Sequence, residues 1–232
     1  MTSNRMRWQY AIFAQINFQM HIIPQLFRVD KIYSAVHETF NNNKRKWEII
    51  ESKNETAIIQ DGNYTMKNKS DFNWHYYKAR SPLKLKEDFL LETEIELLSK
   101  DQFGHFGLVW GFDKTPHTIN KFTVSADGER SLMMSFEKDH KQVFYRSQCR
   151  GLTTLKSSPF LKISIIKMNE FYYFCINNEL LNIVNASHFI INGPYMGFYL
   201  EPGIEIKSKR LEIKKLTARK VKSVSGLEMM LG

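Results

Sequence analysis

Apolar and polar residues alternate along this chain with a period of two. In the stretch LETEIEL, Leu91, Thr93, Ile95 and Leu97 fall on one side and Glu92, Glu94 and Glu96 on the other. That is the pattern of a strand with one face packed and the other meeting water. From Phe106 to Phe112 both sides are apolar, and Gly107 and Gly111 thin one of them. Such a run predicts a central strand covered on both faces.

The same grammar predicts strands at about Trp47 to Ile50, Thr56 to Gln60, Tyr64 to Asn68, Tyr76 to Leu85 and Phe89 to Leu98. Further strands are expected at Phe106 to Phe112, Lys121 to Ser125, Ser131 to Lys138, Gln142 to Arg146 and Leu161 to Lys167. The last are Phe171 to Ile176, Glu179 to Val184, Tyr195 to Leu200 and Ile204 to Leu216. Gln60-Asp61-Gly62-Asn63 reads as a hairpin turn, because Asp and Gly tolerate the positive φ of primed turns. Lys167-Met168-Asn169-Glu170 and Ile176-Asn177-Asn178-Glu179 read as tight connections. Short strands at this spacing, with almost no helical periodicity, predict an all-β fold: a two-sheet antiparallel β-sandwich.

The first residues read less clearly. Trp8 to Ile22 alternates as a strand does, yet Ile12, Ile16, Met20, Ile23 and Phe27 also form a helical stripe. Residues 1–32 are therefore expected as an extension, strand or helix, before a sandwich domain over 33–217, with a basic tail over 218–232. Arg5 and Arg7 precede an apolar run, but Gln15, Asn17, Gln19 and His21 interrupt it and no clean cleavage site follows. A cytoplasmic location is expected, with secretion as the alternative, and Met20 is a second possible start. No stretch reaches the roughly 18 to 20 apolar residues of a membrane-spanning helix.

Composition changes this picture little. With 232 residues, 43% hydrophobic and 13% aromatic, the chain can bury a full core. Its two cysteines, Cys149 and Cys175, imply no disulfide framework. The sequons at Asn54, Asn63, Asn68 and Asn185 matter only in a secretory route. The net charge of +9 concentrates at Lys44 to Lys46 and from Lys207 to Lys222. Charge runs of this kind belong to solvated strand faces more often than to nucleic-acid footprints, so no nucleic-acid partner is expected.

Several of these strands, taken in order, resemble a known group. They include Phe40-Asn41-Asn42 with Trp47, Ile59 to Tyr64, Phe89 to Leu97, FGLVWGFD from Phe106 to Asp113, NKFTVSADGE from Asn120 to Glu129, and LKISIIKMNEFYYFCINNELL from Leu161 to Leu181. With Gly197-Phe198-Tyr199 and Ile213, they resemble the concanavalin A-like lectin/glucanase superfamily, in particular its LamG-like jelly rolls and the 3-keto-disaccharide-hydrolase-like domains. The resemblance implies a sandwich with a concave sheet where binders hold glycan. It does not choose between lectin, glycosidase and interaction module.

Three constellations carry candidate chemistry. Glu92, Glu94 and Glu96 are similar to the Glu-x-Asp-x-Glu strand of laminarinase-type hydrolases in that superfamily. Carboxylates two apart on a strand can serve as nucleophile and acid across a glycosidic bond. Here Glu94 stands where that strand has Asp, and the solvated strand face is the better reading. Second, Trp74, His75 and Tyr77 lie in the aromatic-rich DFNWHYYKAR, where flat rings suit stacking on sugar faces. Third, Arg80, Asp113 and Asn120 are candidate polar partners. His75, His105, His117 and His140 form no zinc pattern, and Asp113 with Asn120 reads as turn chemistry before calcium ligation. No cofactor and no metal is expected. The reading is a non-enzymatic module binding glycan or protein through Trp74, His75, Tyr77, Arg80, Asp113 and Asn120. The alternative is a sugar-processing enzyme using Glu92, Glu94 or Glu96.

Overall fold

The computed structural model describes residues 27–99, 104–114, 118–137, 142–149 and 160–220, with only the backbone of 27–31, 136–137, 142–149 and 218–220. The strands in chain order are β1 (Phe27–Glu38), β2 (Ile50–Glu51), β3 (Glu55–Gln60), β4 (Asn63–Asn68) and β5 (His75–Arg80). Then come β6 (Phe89–Leu97), β7 (His105–Phe112), β8 (Thr118–Ser125), β9 (Arg130–Glu137) and β10 (Gln142–Cys149). The last are β11 (Phe160–Met168), β12 (Phe171–Ile176), β13 (Glu179–Asn185), β14 (Tyr195–Leu200) and β15 (Glu205–Lys220).

Among the described residues these strands form two antiparallel sheets. Sheet A has nine strands in the order β13-β12-β11-β6-β15-β4-β3-β2, with β1 added against β15. Sheet B has six, in the order β10-β9-β8-β7-β14-β5. The fold is an all-β jelly-roll sandwich, as the alternation predicts. β6 is central in sheet A, where Leu91 faces Ile165 of β11 and Ile213 of β15. β7 is central in sheet B, between β8 and β14. That explains why its two sides are both apolar.

Turn chemistry sets the register of the hairpins. Asp61 and Gly62 sit at φ 51° and 69°, and Asn177 and Asn178 at 49° and 68°, as primed turns require. The core is aromatic and lies between the sheets. Trp110 of β7 meets Tyr172, Phe174 and Phe189 at centroid distances of 5.6, 6.0 and 5.4 Å. At the other end Trp47 packs on Phe40, Tyr64 and Phe198 at 5.6, 5.4 and 5.7 Å.

The expected boundary at residue 33 falls inside β1, and the one at 217 falls inside β15. The reason is pairing: Tyr33 lies opposite Lys215, and the ladder runs from Glu38 opposite Leu211 to Phe27 opposite Lys220. The ambiguous segment from Trp8 to Ile22 and the tail beyond 220 lie outside the described residues. Cys175 is buried and unbonded, and burial pushes its thiol up to about 12. It therefore behaves as a small apolar group. Among the described residues no helix is long and apolar enough to cross a membrane.

Candidate functional site

The outward face of sheet B carries the unusual chemistry. Tyr76 and Lys78 of β5, Tyr195, Gly197 and Tyr199 of β14, Gly107 and Val109 of β7, and Lys121 and Thr123 of β8 all project there, opposite to the core residues between them. Gly197 lies opposite Val109 on this face, and Gly107 opposite Tyr199. A Cβ at Gly197 would stand 1.9 Å from the Tyr77 carbonyl oxygen, and one at Gly107 2.2 Å from that of Phe122. The neighbouring strands close in on this side so tightly that only glycine fits.

A row of rings runs across that surface. Trp74 lies 5.7 Å from both Tyr76 and Tyr199, Tyr76 lies 5.5 Å from Phe112, and Phe112 lies 6.1 Å from Tyr195. Trp74, Tyr76 and Tyr195 are half-buried, so each keeps part of its surface open to solvent. The period-two pattern accounts for this: Tyr76 points outward while Tyr77 points into the core.

Beside the rings is a polar network built over Gly107. The Lys121 ammonium donates to the Tyr199 hydroxyl at 2.9 Å, spanning β7 where the glycine leaves room. Tyr199 in turn donates to Glu201 at 3.3 Å, and Glu201 accepts from the His105 backbone N–H at 2.9 Å and meets its imidazole at 3.1 Å. Lys121 is 5% exposed. Its burial lowers the ammonium to about 8 against a partial restoring pull from Glu201. Burial also acts to raise Glu201, but the His105 and Lys121 interactions outweigh it and hold the carboxyl below its usual range. Burial pushes the Tyr199 phenol up, with Glu201 adding to it. The Thr123 hydroxyl, buried two residues along from Lys121, has no hydrogen-bond partner among the described residues. Lys121 and Tyr199 are buried, and the half-buried Glu201 and His105 are the members of the network that reach solvent.

The residues singled out in the sequence separate. Trp74 lies on the outward face of sheet B. Arg80 is exposed at the end of β5, opposite Tyr195. His75 turns the other way, its imidazole 3.0 Å from Glu55 of sheet A. Tyr77 is 0% exposed, in the core, with its hydroxyl donating to the Lys67 carbonyl at 3.0 Å. Asn120 is likewise 0% exposed, and its amide donates to the carbonyls of Trp110 and Ile190 at 3.0 and 2.8 Å. Neither Tyr77 nor Asn120 is open to a ligand at the surface; both hold the framework. Asp113 is exposed, with its carboxylate against Gly193. Tyr76, Lys121, Tyr199, Glu201 and His105 were missed. One signal existed: Lys121 is a cation inside TINKFTVS, a strand buried along its whole length.

Glu92, Glu94 and Glu96 project from the outward face of sheet A, away from the network. Lys162 and Ser164 hold Glu92 at 2.9 and 3.0 Å, Arg210 holds Glu94 at 2.6 Å, and Lys207 holds Glu96 at 2.6 Å. The basic run along β15 is paired as well, Lys214 with Glu212 on the same strand and Lys215 with Glu87 in the turn before β6, each at 2.5 Å. Much of the positive charge of β15 is thus spent in ion pairs. The same face also carries an apolar cluster of Leu90, Ile166, Met168, Tyr173, Cys175 and Leu216. Among the described residues no group of three or more His, Cys, Asp or Glu side chains is placed to hold a metal ion.

This architecture is that of the concanavalin A-like jelly rolls. Solved structures that share it include the catalytic domain of an endo-1,3-β-glucanase (laminarinase) from Thermotoga petrophila, with a TM-score of 0.57 at 7% identity, covering 82% of this chain and 100% of that one. A protein with a galectin-like fold from Bacillus subtilis matches with a TM-score of 0.57 at 9% identity, covering 83% and 100%. The CBM2 module of the evolved Dit protein of Lactobacillus casei phage J-1 matches with a TM-score of 0.50 at 10% identity, covering 83% and 98%. At these identities the likeness concerns the fold. No protein-family model matches the sequence, and no curated protein matches it either.

Proposed function

We propose that this protein is a glycan-binding β-sandwich module whose ligand lies on the outward face of sheet B. The observation that carries the reading is the row Tyr199–Trp74–Tyr76–Phe112–Tyr195 beside the Lys121–Tyr199–Glu201–His105 network. Trp74, Tyr76 and Tyr195, the partly open rings of the row, supply flat apolar surface for pyranose faces, the buried Phe112 and Tyr199 back them, and the half-buried Glu201 and His105 satisfy sugar hydroxyls. Carbohydrate-binding and glucanase domains among the solved structures of this fold support the ligand class. A glycan array followed by calorimetry tests it. Wild type binds, Trp74→Ala loses about tenfold or more in affinity, and Tyr76→Ala weakens it further. An array without hits, with Trp74→Ala and wild type alike in every binding assay, defeats the proposal.

The enzymatic alternative, hydrolysis through Glu92, Glu94 or Glu96, is tested separately. Turnover of β-glucans that vanishes in Glu92→Gln or Glu96→Gln supports it. An inactive wild type on a broad substrate panel counts against it.

A further inference from the structure

A groove of about 370 Å³ opens where β5 ends and β14 begins. Leu83, Leu85, Ile191 and Pro194 give it an apolar lining, and Arg80, Lys84 and Lys86 stand along its rim. It continues the ring row, because Arg80 is the cross-strand partner of Tyr195, the row's last member.

Both walls are held rigidly. On one side the Ser81 backbone N–H donates to the Pro194 carbonyl at 2.8 Å, and the Leu83 N–H donates to the Ser81 hydroxyl at 3.1 Å. On the other side the backbone N–H groups of Asn192 and Gly193 donate to the Gly111 carbonyl at 2.8 and 3.2 Å, and the Asn192 amide donates to Thr118 at 3.1 Å. Asn120 pins the same loop through its 2.8 Å bond to the Ile190 carbonyl. A groove ordered before binding gives up little conformational entropy when it is filled.

The charge at the rim is available. The side chains of Arg80, Lys84 and Lys86 are exposed and make no hydrogen bond or ion pair within the described residues. Most cations on β15, by contrast, are already paired. Of the nearby carboxylates, Glu87 is taken by Lys215 at 2.5 Å and Asp88 by Lys167 at 3.2 Å. Glu87 lines the groove itself, its carboxyl held below its usual range by Lys215 and, more weakly, by Lys84, and Asp113 stands against Gly193. Three exposed cations beside apolar surface, with only Lys84 partly answered by Glu87, match a ring that bears an anionic group, and a guanidinium suits the two oxygens of a carboxylate or sulfate.

We infer that this groove is an anionic-sugar subsite: the saccharide crossing the ring row places a uronate or sulfate group against Arg80, Lys84 and Lys86. This rests on the glycan-binding reading above and names the class of glycan. Calorimetric titrations of the full chain with tetragalacturonate, a chondroitin sulfate tetrasaccharide, laminaritetraose and inorganic polyphosphate test it. One or both acidic saccharides bind about tenfold or more tightly than neutral laminaritetraose. That advantage disappears in Arg80→Gln, shrinks in the Lys84→Gln/Lys86→Gln pair and weakens as salt rises. These side chains are exposed and hold no hydrogen bond or ion pair within the described residues, so the variants keep the wild-type fold and melting temperature. Which acidic saccharide prevails separates carboxylate from sulfate recognition. Neutral binding that depends on Trp74, without any preference for acidic sugars, overturns the subsite and leaves the glycan reading standing. Absence of binding to every saccharide removes both. Polyphosphate binding as tight as that of the acidic sugars, and indifferent to Trp74→Ala, reduces the groove to a general polyanion patch and also overturns the inference.

Discussion

Lys121 carries a large electrostatic cost for a single side chain. Its ammonium is buried beneath the face of sheet B, with Tyr199 and Glu201 as partial compensation. The sign of the pH effect follows from the shift. Below about pH 8 the amine is charged in both folded and unfolded chains, and the folded state bears the full penalty. Between about 8 and the ordinary value of 10.5 the unfolded chain binds the extra proton, so stability rises with pH; above 10.5 the penalty is gone. Wild type should therefore gain roughly 3 kcal/mol relative to Lys121→Met across that window, an order-of-magnitude value measured by urea denaturation at several pH values. A flat difference between the two proteins would mean that the amine stays charged throughout. Trp110 tests packing instead of charge. Its ring fills the space among Tyr172, Phe174 and Phe189, so Trp110→Ala should cost about 3–5 kcal/mol in the same denaturation experiment.

At the scale of elements, the glycines of sheet B bring the strands close. Gly197→Ala places a methyl group on the backbone of β5, which cannot yield without breaking the β5–β14 ladder. The variant should lose several kcal/mol, about as much as a large core truncation, and its circular dichroism melt reports the loss. Asn120 acts on an element in another way. Asn120→Ala leaves the Ile190 carbonyl without its donor and should cost about 2 kcal/mol while loosening the groove wall. Binding of acidic sugars should fall with it, although Asn120 touches no ligand. Strand positions were legible in the sequence because burial on one face imposes period two, and Asp61-Gly62 and Asn177-Asn178 announce their turns by needing positive φ. β1 was not legible. Its pairing partner, β15, lies at the far end of the chain, and no local signal declares a long-range ladder. Trp74 was legible as an aromatic in an aromatic run. Tyr77 and Asn120 misled because parity along a strand does not say which side is the core, and one step places Tyr76 outside and Tyr77 inside.

For the whole molecule, the two outward faces divide the work. Sheet A presents ion pairs across and along its strands, each worth only about 0.2–1 kcal/mol where exposed, and they consume Glu92, Glu94, Glu96 and much of the basic run of β15. Sheet B presents rings, a buried ammonium and a groove with free cations. No local pattern could reveal that division, because it depends on which strands end up in the same sheet. A titration of isotope-labelled protein with a glycan returned by the array, followed by nuclear magnetic resonance, tests the central claim directly. Saturable shifts are predicted at the Trp74 indole N–H and at the backbone of Tyr76, Gly197, Val109 and Arg80, with Glu92, Glu94 and Glu96 unmoved. Shifts confined to β6 and its carboxylates, with the face of sheet B silent, would contradict the account.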